Sequence, residues 1–340
     1  MPGKHPNILL GHGSGGQLTH ELIDELFLKY FDNDVLNMGT DSALLDIAGS
    51  SLAFTTDAFV VDPLFFPGGD IGKLSVCGTV NDIAVSGAKP LYLSASFIIE
   101  EGLDYTILKN VVKSMAAEAK NAGVRIVTGD TKVVEKGKCD KLFITTSGIG
   151  ILNKKHRHIS SGNTIVPGDK IIINGSIGDH GMSVMSARNE LELRADICSD
   201  SASLNDLIRH CMDASGHIRF MRDATRGGLA TVVSELAKSH NIGVQLEETM
   251  IPVTDKVRGL CELLGFDPLY VANEGKVIMV VPENEAMMLL KTMQDHPLGK
   301  TSAIIGEIVT EHPGNAWLLT RIGGRRVIDL MAGEQLPRIC

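Results

Sequence analysis

From about residue 36 the sequence alternates short β-forming runs with stretches of helical period, and two of the runs lead into an aspartate. Ser51 to Thr56 reads as a strand stopping at Asp57, and Val124 to Thr128 as a strand stopping at Gly129-Asp130. Strand ends that carry carboxylates are where mixed α and β folds commonly gather ligand sites. Between them Asp104 caps a helix whose Ile107, Leu108, Val111, Val112, Met115 and Ala119 keep helical spacing, and Asn121-Ala-Gly123 closes it. A second helix, Ile71 to Ser86, has a less ordinary face: Leu74, Cys77, Gly78 and Val85 share it with Asn81 and Asp82. An inward carboxylate is costly without a cation or hydrogen-bond donors. Asp82 is therefore either a structural acid paired with Lys or Arg, or part of a metal or phosphate environment.

A chain of 340 residues exceeds one ordinary core, so two domains are expected. The polar stretch Asn153 to His158 with Ser160-Ser-Gly-Asn breaks the periodicity and marks the boundary. The second half opens with a strand at Lys170 to Asn174 and reaches Arg222-Asp-Ala-Thr-Arg-Gly-Gly-Leu229. There Asp223 or Thr225 can cap a helix running to about His240, while Gly227 and Gly228 let another backbone or an anion approach its positive end. Ala272-Asn-Glu-Gly-Lys276 precedes a strand at Val277 to Val281. Its Glu274 suits an acid or base, and a turn with solvated charges fits equally well.

Several function classes drop out. A net charge of −9 with no offsetting basic run argues against nucleic acid. The aliphatic runs are too short to span a bilayer, and the opening residues hold no apolar signal core, so a cytoplasmic protein is expected. Six cysteines without a C-x-x-C pair fit reduced thiols, and Cys198, His210, Cys211 and His217 follow no zinc spacing. Gly299-Lys-Thr301 fails as a P-loop because position 294 is Gln, and Gly72-Lys73 fails because Pro67 stands at the corresponding place. Near the start, Gly11-His-Gly-Ser-Gly-Gly16 offers backbone N–H groups that could wrap phosphates, followed by a short helical pattern with Leu18, Leu22, Leu26 and Phe27 on one face.

The sequence closes on Leu336-Pro-Arg-Ile-Cys340. A terminal thiol can enter a pocket without drawing a returning strand behind it. Gly333 loosens the approach, Pro337 denies the tail a helical ending, and Arg338 favours the thiolate. An extended tail of about ten residues spans at most roughly 35 Å, enough to leave its own domain.

Taken together, His12-Gly-Ser-Gly-Gly16, Thr55-Thr-Asp57 with Asp62-Pro-Leu-Phe-Phe-Pro-Gly-Gly69, Asn81-Asp-Ile-Ala-Val-Ser-Gly-Ala88, Thr128-Gly-Asp-Thr-Lys132, Arg222-Asp-Ala-Thr-Arg-Gly-Gly228, Asn273-Glu-Gly-Lys276 and Pro337-Arg-Ile-Cys340 closely resemble the HypE family of [NiFe]-hydrogenase maturation factors. The resemblance implies an α+β, PurM-like fold similar to aminoimidazole ribonucleotide synthetase. Residues 1–35 would form a segment with the Gly-rich loop, 36–152 an ATP-binding domain that pairs in a homodimer to build a shared β-barrel, 160–312 a C-terminal α+β domain, and 313–340 terminal strands and the tail. It implies that the carbamoyltransferase HypF loads a carbamoyl group onto Cys340, that ATP drives its dehydration to a thiocyanate, and that the cyano group passes to iron on a HypC–HypD complex.

That chemistry needs the carboxamide oxygen made into a leaving group, and phosphoryl transfer from ATP does this. Mg²⁺ takes oxygen ligands, for which Asp41, Asp57, Asp82 and Asp130 are the candidates. Asp41 enters through the likeness of Gly39-Thr-Asp-Ser-Ala43 to the acidic stretch opening the family's first domain. Lys132, two residues beyond Asp130 on an extended segment, faces the same way and could meet the transferring phosphoryl group. Lys73, Asn81, Gly13, Gly15, Gly16, Asp130, Asp223, Arg226, Gly227 and Gly228 are expected around the nucleotide. Cys340 is the reacting thiol, with Glu274 as the favoured base and His12 second. Two rivals stand: a small-molecule synthetase of the same superfamily, and a nucleotide-switched carrier of a thiol-bound group.

Overall fold

The computed structural model describes residues 7–47, 49–188, 196–331, 336 and 338–340. The opening residues 1–6, Gly333 and Pro337 lie outside the described residues. Strands β1 (Ala43–Ile47) and β2 (Ser50–Phe59) form a hairpin, followed by helix α1 (Ile71–Val85). Strand β3 (Ala88–Glu100), helix α2 (Tyr105–Ala122), strand β4 (Arg125–Val134) and strand β5 (Leu142–Leu152) complete the first domain. The strand order is β1-β2-β5-β3-β4, antiparallel except for the β3–β4 edge. The crossover through α2 is what permits that one parallel pair.

Helix α1 is the centre of the molecule. Asp70 caps it, accepting the N–H groups of Gly72 at 2.7 Å and Lys73 at 3.2 Å. Apart from Lys73 and Asp82 its residues are buried on every side, between β2 and β5 on one flank and α2 with second-domain elements on the other. A helix apolar all round belongs in a core. Helix α2 is the amphipathic scaffold its spacing predicts, with Asp104 as N-cap and Gly123 left-handed at its end.

The second sheet takes β6 (Lys170–Ile173), β7 (Phe220–Asp223), β8 (Gly243–Glu247), β9 (Val277–Val281), β10 (Ala303–Val309), β11 (Ala316–Leu319) and β12 (Arg325–Ile328), in the order β12-β11-β8-β10-β6-β9-β7. Helices α3 (Asp179–Ala187), α4 (Asn205–Ala214), α5 (Gly228–His240), α6 (Asp255–Leu264) and α7 (Glu283–Asp295) pack around it. Because β11 pairs in parallel with β8, the strands expected to belong to a separate 313–340 segment are part of this sheet. Ala84 and Val85 of α1 share a core with Leu204, Leu207 and Val277, so the two domains meet along α1.

Two strand ends differ from expectation. β2 runs through Asp57 to Phe59 because β5 pairs with it as far as Ile144. β4 likewise continues through Asp130 and Lys132, and the glycine taken for a stop is required by its neighbour: a Cβ on Gly129 would stand 2.1 Å from the Ala95 carbonyl oxygen. The cap of α5 is also different. Gly227, at φ 71°, occupies the N-cap position with no side-chain bond, and Gly228 admits the 269–271 backbone, which a Cβ would meet at about 2.5 Å. Asp223 is thereby released from capping and ends β7 instead.

The loop before β9 is tied down rather than solvated. Lys276 pairs with Asp200 at 2.8 Å, with both side chains buried, and the same carboxylate accepts the N–H groups of Glu274 at 3.0 Å and Gly275 at 3.2 Å. Burial raises the Asp200 pKa, but Lys276 and the other donors outweigh it and the net shift is downward. Removing the ammonium alone strands a buried charge, so Lys276→Met is expected to destabilise the fold by about 3–5 kcal/mol in denaturant unfolding.

Candidate active site

A cavity of about 470 Å³ opens where the domains meet along α1. Asp57 reaches it from β2, Asp82 from α1, Asp223 from the end of β7, Glu235 from α5 and Glu274 from the loop before β9, with Asp41 beside them. Arg222, Arg226 and Cys340 complete the chemistry-bearing walls. The local bonds explain how so many acids are held together. Thr79 on α1 donates its hydroxyl to Asp57 Oδ2 at 3.0 Å, and Thr55 Oγ1 lies 2.9 Å from Asp82 Oδ2. Arg222 sits 3.0 Å from Asp41 through Nε and 2.5 Å from Glu235 through Nη1, and His20 lies 2.8 Å from Glu235 on its other side.

The remaining acids are under-compensated. Burial pushes Asp82 well above the ordinary carboxylate range, with the charges of Asp57, Asp223 and Asp41 adding to it. Burial raises Asp57 too, although hydrogen bonds from Thr79 and with Asp82 hold it back. Asp41 is raised by burial despite Arg222. Asp223 is pushed up to about 8 by burial and then by Asp41, and Glu274, 2 % exposed, is driven well up by burial with Asp223 and Asp200 behind it. Carboxyls crowded in this way favour their protonated forms, and side chains of this kind are the oxygen ligands a hard cation takes.

Cys340 stands at the edge of this cavity and also lines an adjoining chamber of about 210 Å³ with Gly13, Ser14, Arg226 and Ile339. The Arg226 guanidinium is held above its usual pKa, first by the Cys340 charge and against its own burial. Its Nη1 donates to the Gly13 carbonyl at 3.0 Å, and a Cβ on Gly15 would meet its side chain at 3.2 Å, so the Gly-rich segment packs over this arginine. A Cβ on Gly16 would press on the Met331 carbonyl at 2.6 Å. Gly227 lines the chamber, while Gly228 is occupied by its neighbouring backbone.

Of the residues expected at the site, Asp41, Asp57, Asp82, Asp223, Arg226, Glu274 and Cys340 are brought together. Asp130 and Lys132 are not: they pair with each other at 2.7 Å on the exposed edge strand β4. Lys73 donates to the Gly68 carbonyl at 3.1 Å at the start of α1 and does not line the cavity. His12 sits in the turn with Leu9, outside the walls of either chamber. Asn81 is spent on the domain junction, donating to Ala202 O at 3.1 Å and accepting Leu204 N–H at 2.8 Å. The residues missed are Arg222, Glu235 and Thr79. Arg222 stood in the quoted motif next to Asp223, and alternation along a strand would have turned it to the opposite face.

Among the described residues, one trio of metal-ligating side chains converges: Asp206, His210 and His296, on the surface of the second domain. Its hydrogen bonds account for it. His210 Nδ1 faces the Asp206 carbonyl at 2.8 Å and His296 Nε2 faces the Asp206 carboxylate at 3.1 Å, so both inward nitrogens carry protons. The grouping of Cys198, His210, Cys211 and His217 is not assembled, since Cys211 is buried in α4 and His217 pairs with Glu285 at 2.6 Å.

Residues 39–152 match the N-terminal domain of the AIR synthase related proteins, and residues 166–317 match their C-terminal domain. The fold is therefore the PurM-like pairing of two α+β domains. Among curated relatives, "Carbamoyl dehydratase HypE" of Rhodobacter capsulatus is 49% identical over 99% of this chain and 99% of its own. The protein of the same name from Escherichia coli strain K12 is 49% identical over 98% of this chain and 99% of its own. This chain belongs to the HypE family. A HypE structure in complex with ATP superimposes with a TM-score of 0.82 at 48% identity, covering 98% of this chain and 100% of that one. HypE in a HypE–HypF complex gives 0.86 at 49%, covering 91% and 99%.

The raised carboxyls make a pH prediction. Below its folded-state pKa of about 8, Asp223 holds a proton that the unfolded chain has already released above the ordinary aspartate range. Stability therefore falls as pH rises through that window. The melting temperature of metal- and nucleotide-free protein is expected to drop between about pH 5 and about pH 8 and to level off above that, and Asp223→Asn to flatten the slope.

Proposed function

We propose that this chain is an ATP-dependent carbamoyl dehydratase whose substrate is its own Cys340 carrying an S-carboxamide, and whose product is the thiocyanate that supplies a cyanide ligand for [NiFe]-hydrogenase. The observation that carries the reading is the position of the Cys340 side chain, between Arg226 and a cavity walled by carboxylates. HypE relatives are named for the same activity, and one is described in complex with ATP.

In this reading the carboxamide oxygen attacks the γ-phosphorus of ATP, ADP leaves and one of the two nitrogen-bound protons is released, forming an O-phosphorylated isoimide. Loss of the proton on nitrogen and departure of phosphate then leave S–C≡N. The chain's residues chiefly position and neutralise. Arg226 lies beside the thiol-bound group and neutralises the charge that develops on the phosphate as it leaves the carboxamide carbon. Glu274 takes the nitrogen-bound proton, and its raised pKa makes it a stronger base than an ordinary carboxylate. Asp41, Asp57 and Asp82, which line one cavity, would supply the oxygen ligands that Mg²⁺ takes. A bound magnesium would supply charge neutralisation for the phosphates.

Asp130 and Lys132 enter this scheme through a second copy of the chain. Their strand is a sheet edge, flanked by exposed Ile126, Val127 and Val133, and the face of the sheet turned away from α1 carries exposed Phe54, Ile149 and Ile151. Apolar strands left open in this way favour pairing with another sheet, here a homodimer closing a β-barrel. HypF is the proposed source of the carbamoyl group and a HypC–HypD complex the proposed acceptor of cyanide. No helix among the described residues is long and apolar enough to cross a membrane.

Asp82→Asn is expected to abolish ATP turnover, and phosphate release at the wild-type rate would remove it from the metal set. Cys340→Ala should still bind ATP while yielding no carbamoyl-derived product. For the thiol itself, intact-mass spectrometry of carbamoylated protein after ATP should show the loss of one water at Cys340. A carrier would bind ATP and keep the carboxamide.

A further inference from the structure

Histidine 180 is the one imidazole in the fully buried set among the described residues, and no step of the proposed chemistry uses it. It sits in the first turn of α3, with its ring edge-on to Phe66 at 5.4 Å between centroids. A buried imidazole is costly unless both nitrogens are satisfied. Both are: Nε2 lies 2.8 Å from the Ile339 carbonyl oxygen and Nδ1 lies 2.8 Å from Ser199 Oγ. A carbonyl can only accept, so Nε2 carries the proton, and Nδ1 must then accept from the Ser199 hydroxyl. Ser199 Oγ is oriented in turn by the Ser201 N–H, at 3.0 Å. The tautomer is thus fixed by its surroundings, and burial keeps the ring neutral by lowering its pKa.

Ile339 directly precedes the thiol-bearing residue. The other main-chain oxygens of the tail are also held: Arg338 O by Asp62 N–H at 3.2 Å and Arg188 Nη2 at 2.8 Å, and Cys340 O by Val60 N–H at 3.0 Å. Asp62 and Val60 belong to the first domain, whereas His180 and Arg188 lie at the two ends of α3 in the second. The tail is clasped from both sides.

We propose that His180 is the positioning residue that docks the tail, its Nε2–H holding the Ile339 carbonyl so that the Cys340 side chain is kept at the carboxylate-lined cavity. It touches none of the reacting atoms and acts through the backbone of Ile339. The catalytic part of this inference rests on Cys340 being the reacting thiol, and the docking part does not.

The test separates the two. His180→Phe keeps an aromatic ring without a donor, His180→Met fills the site with an apolar chain should the phenylalanine fail to fold, and His180→Gln restores an N–H donor. Iodoacetamide alkylation of Cys340 in the full-length, uncarbamoylated protein, followed by mass spectrometry, reports docking without requiring any enzyme activity. The donor-free variants are expected to be alkylated about three- to tenfold faster, the equilibrium equivalent of one buried hydrogen bond, with His180→Gln returning toward wild type. On carbamoylated protein they should slow water loss at Cys340 by a similar factor with the KM for ATP unchanged. Wild-type alkylation rates in a folded donor-free variant overturn the proposal, as does a glutamine variant no better than phenylalanine. Faster alkylation without slower dehydration leaves the docking contact standing and overturns its part in positioning the thiol for reaction, whereas wild-type carbamoylated protein that loses no water at Cys340 counts against Cys340 as the site of reaction.

Discussion

The structure depends on how many carboxyl groups can be forced around one buried point. Asp57 from β2 and Asp82 from α1 face one cavity, and Asp41, Asp223 and Glu274 crowd them from three further segments. In an empty site this arrangement works against folding, because burial and mutual repulsion both favour the protonated forms. It is tolerated because Thr55, Thr79, Arg222 and the Asp200–Lys276 clasp hold the segments that carry the acids. Buried carboxyls held as acids in this way are a locally unfavourable grouping, and such groupings are characteristic of function.

Helix α1 explains why the acids meet at all. It is packed by the first sheet on one flank and by α4 and β7 on the other, so one rigid element sets the spacing between Asp82 and groups from both domains. Asn81, its neighbour in sequence, uses its whole amide to fix that junction. Adjacent polar residues in one apolar stripe thus serve two purposes, one facing the cavity and one locking the domains.

Much of this was legible in the sequence. Periodicity located α1, α2 and β9, since long amphipathic or aliphatic runs bounded by Asp, Gly and Asn determine their own structure. The misplaced strand ends had a common cause: Asp57 and Asp130 look like terminators locally, but the partner strand decides how far pairing continues. Asp223 reads as a helix cap because caps are local, and only the approach of the 269–271 backbone at Gly228 shows that the position was taken. Lys276 and Asp200 lie far apart in sequence, and neither His180 nor Asp130 could be placed without the tertiary fold. Motif resemblance found the acids that converge, and it also drew in Lys73 and Asn81, which do not.

The last strand, β12, is clamped as the outer member of the second sheet, and Ser234 on α5 donates its hydroxyl to the Ile328 carbonyl at 3.0 Å. That strand is a fixed mooring for everything beyond it. The thiol is consequently confined to a sphere of about 40 Å radius around Ile328, the contour length of a dozen extended residues. Any molecule that exchanges a group with Cys340 would have to bring its own reactive atom inside that sphere. Tether length then sets which encounters with the thiol are geometrically possible.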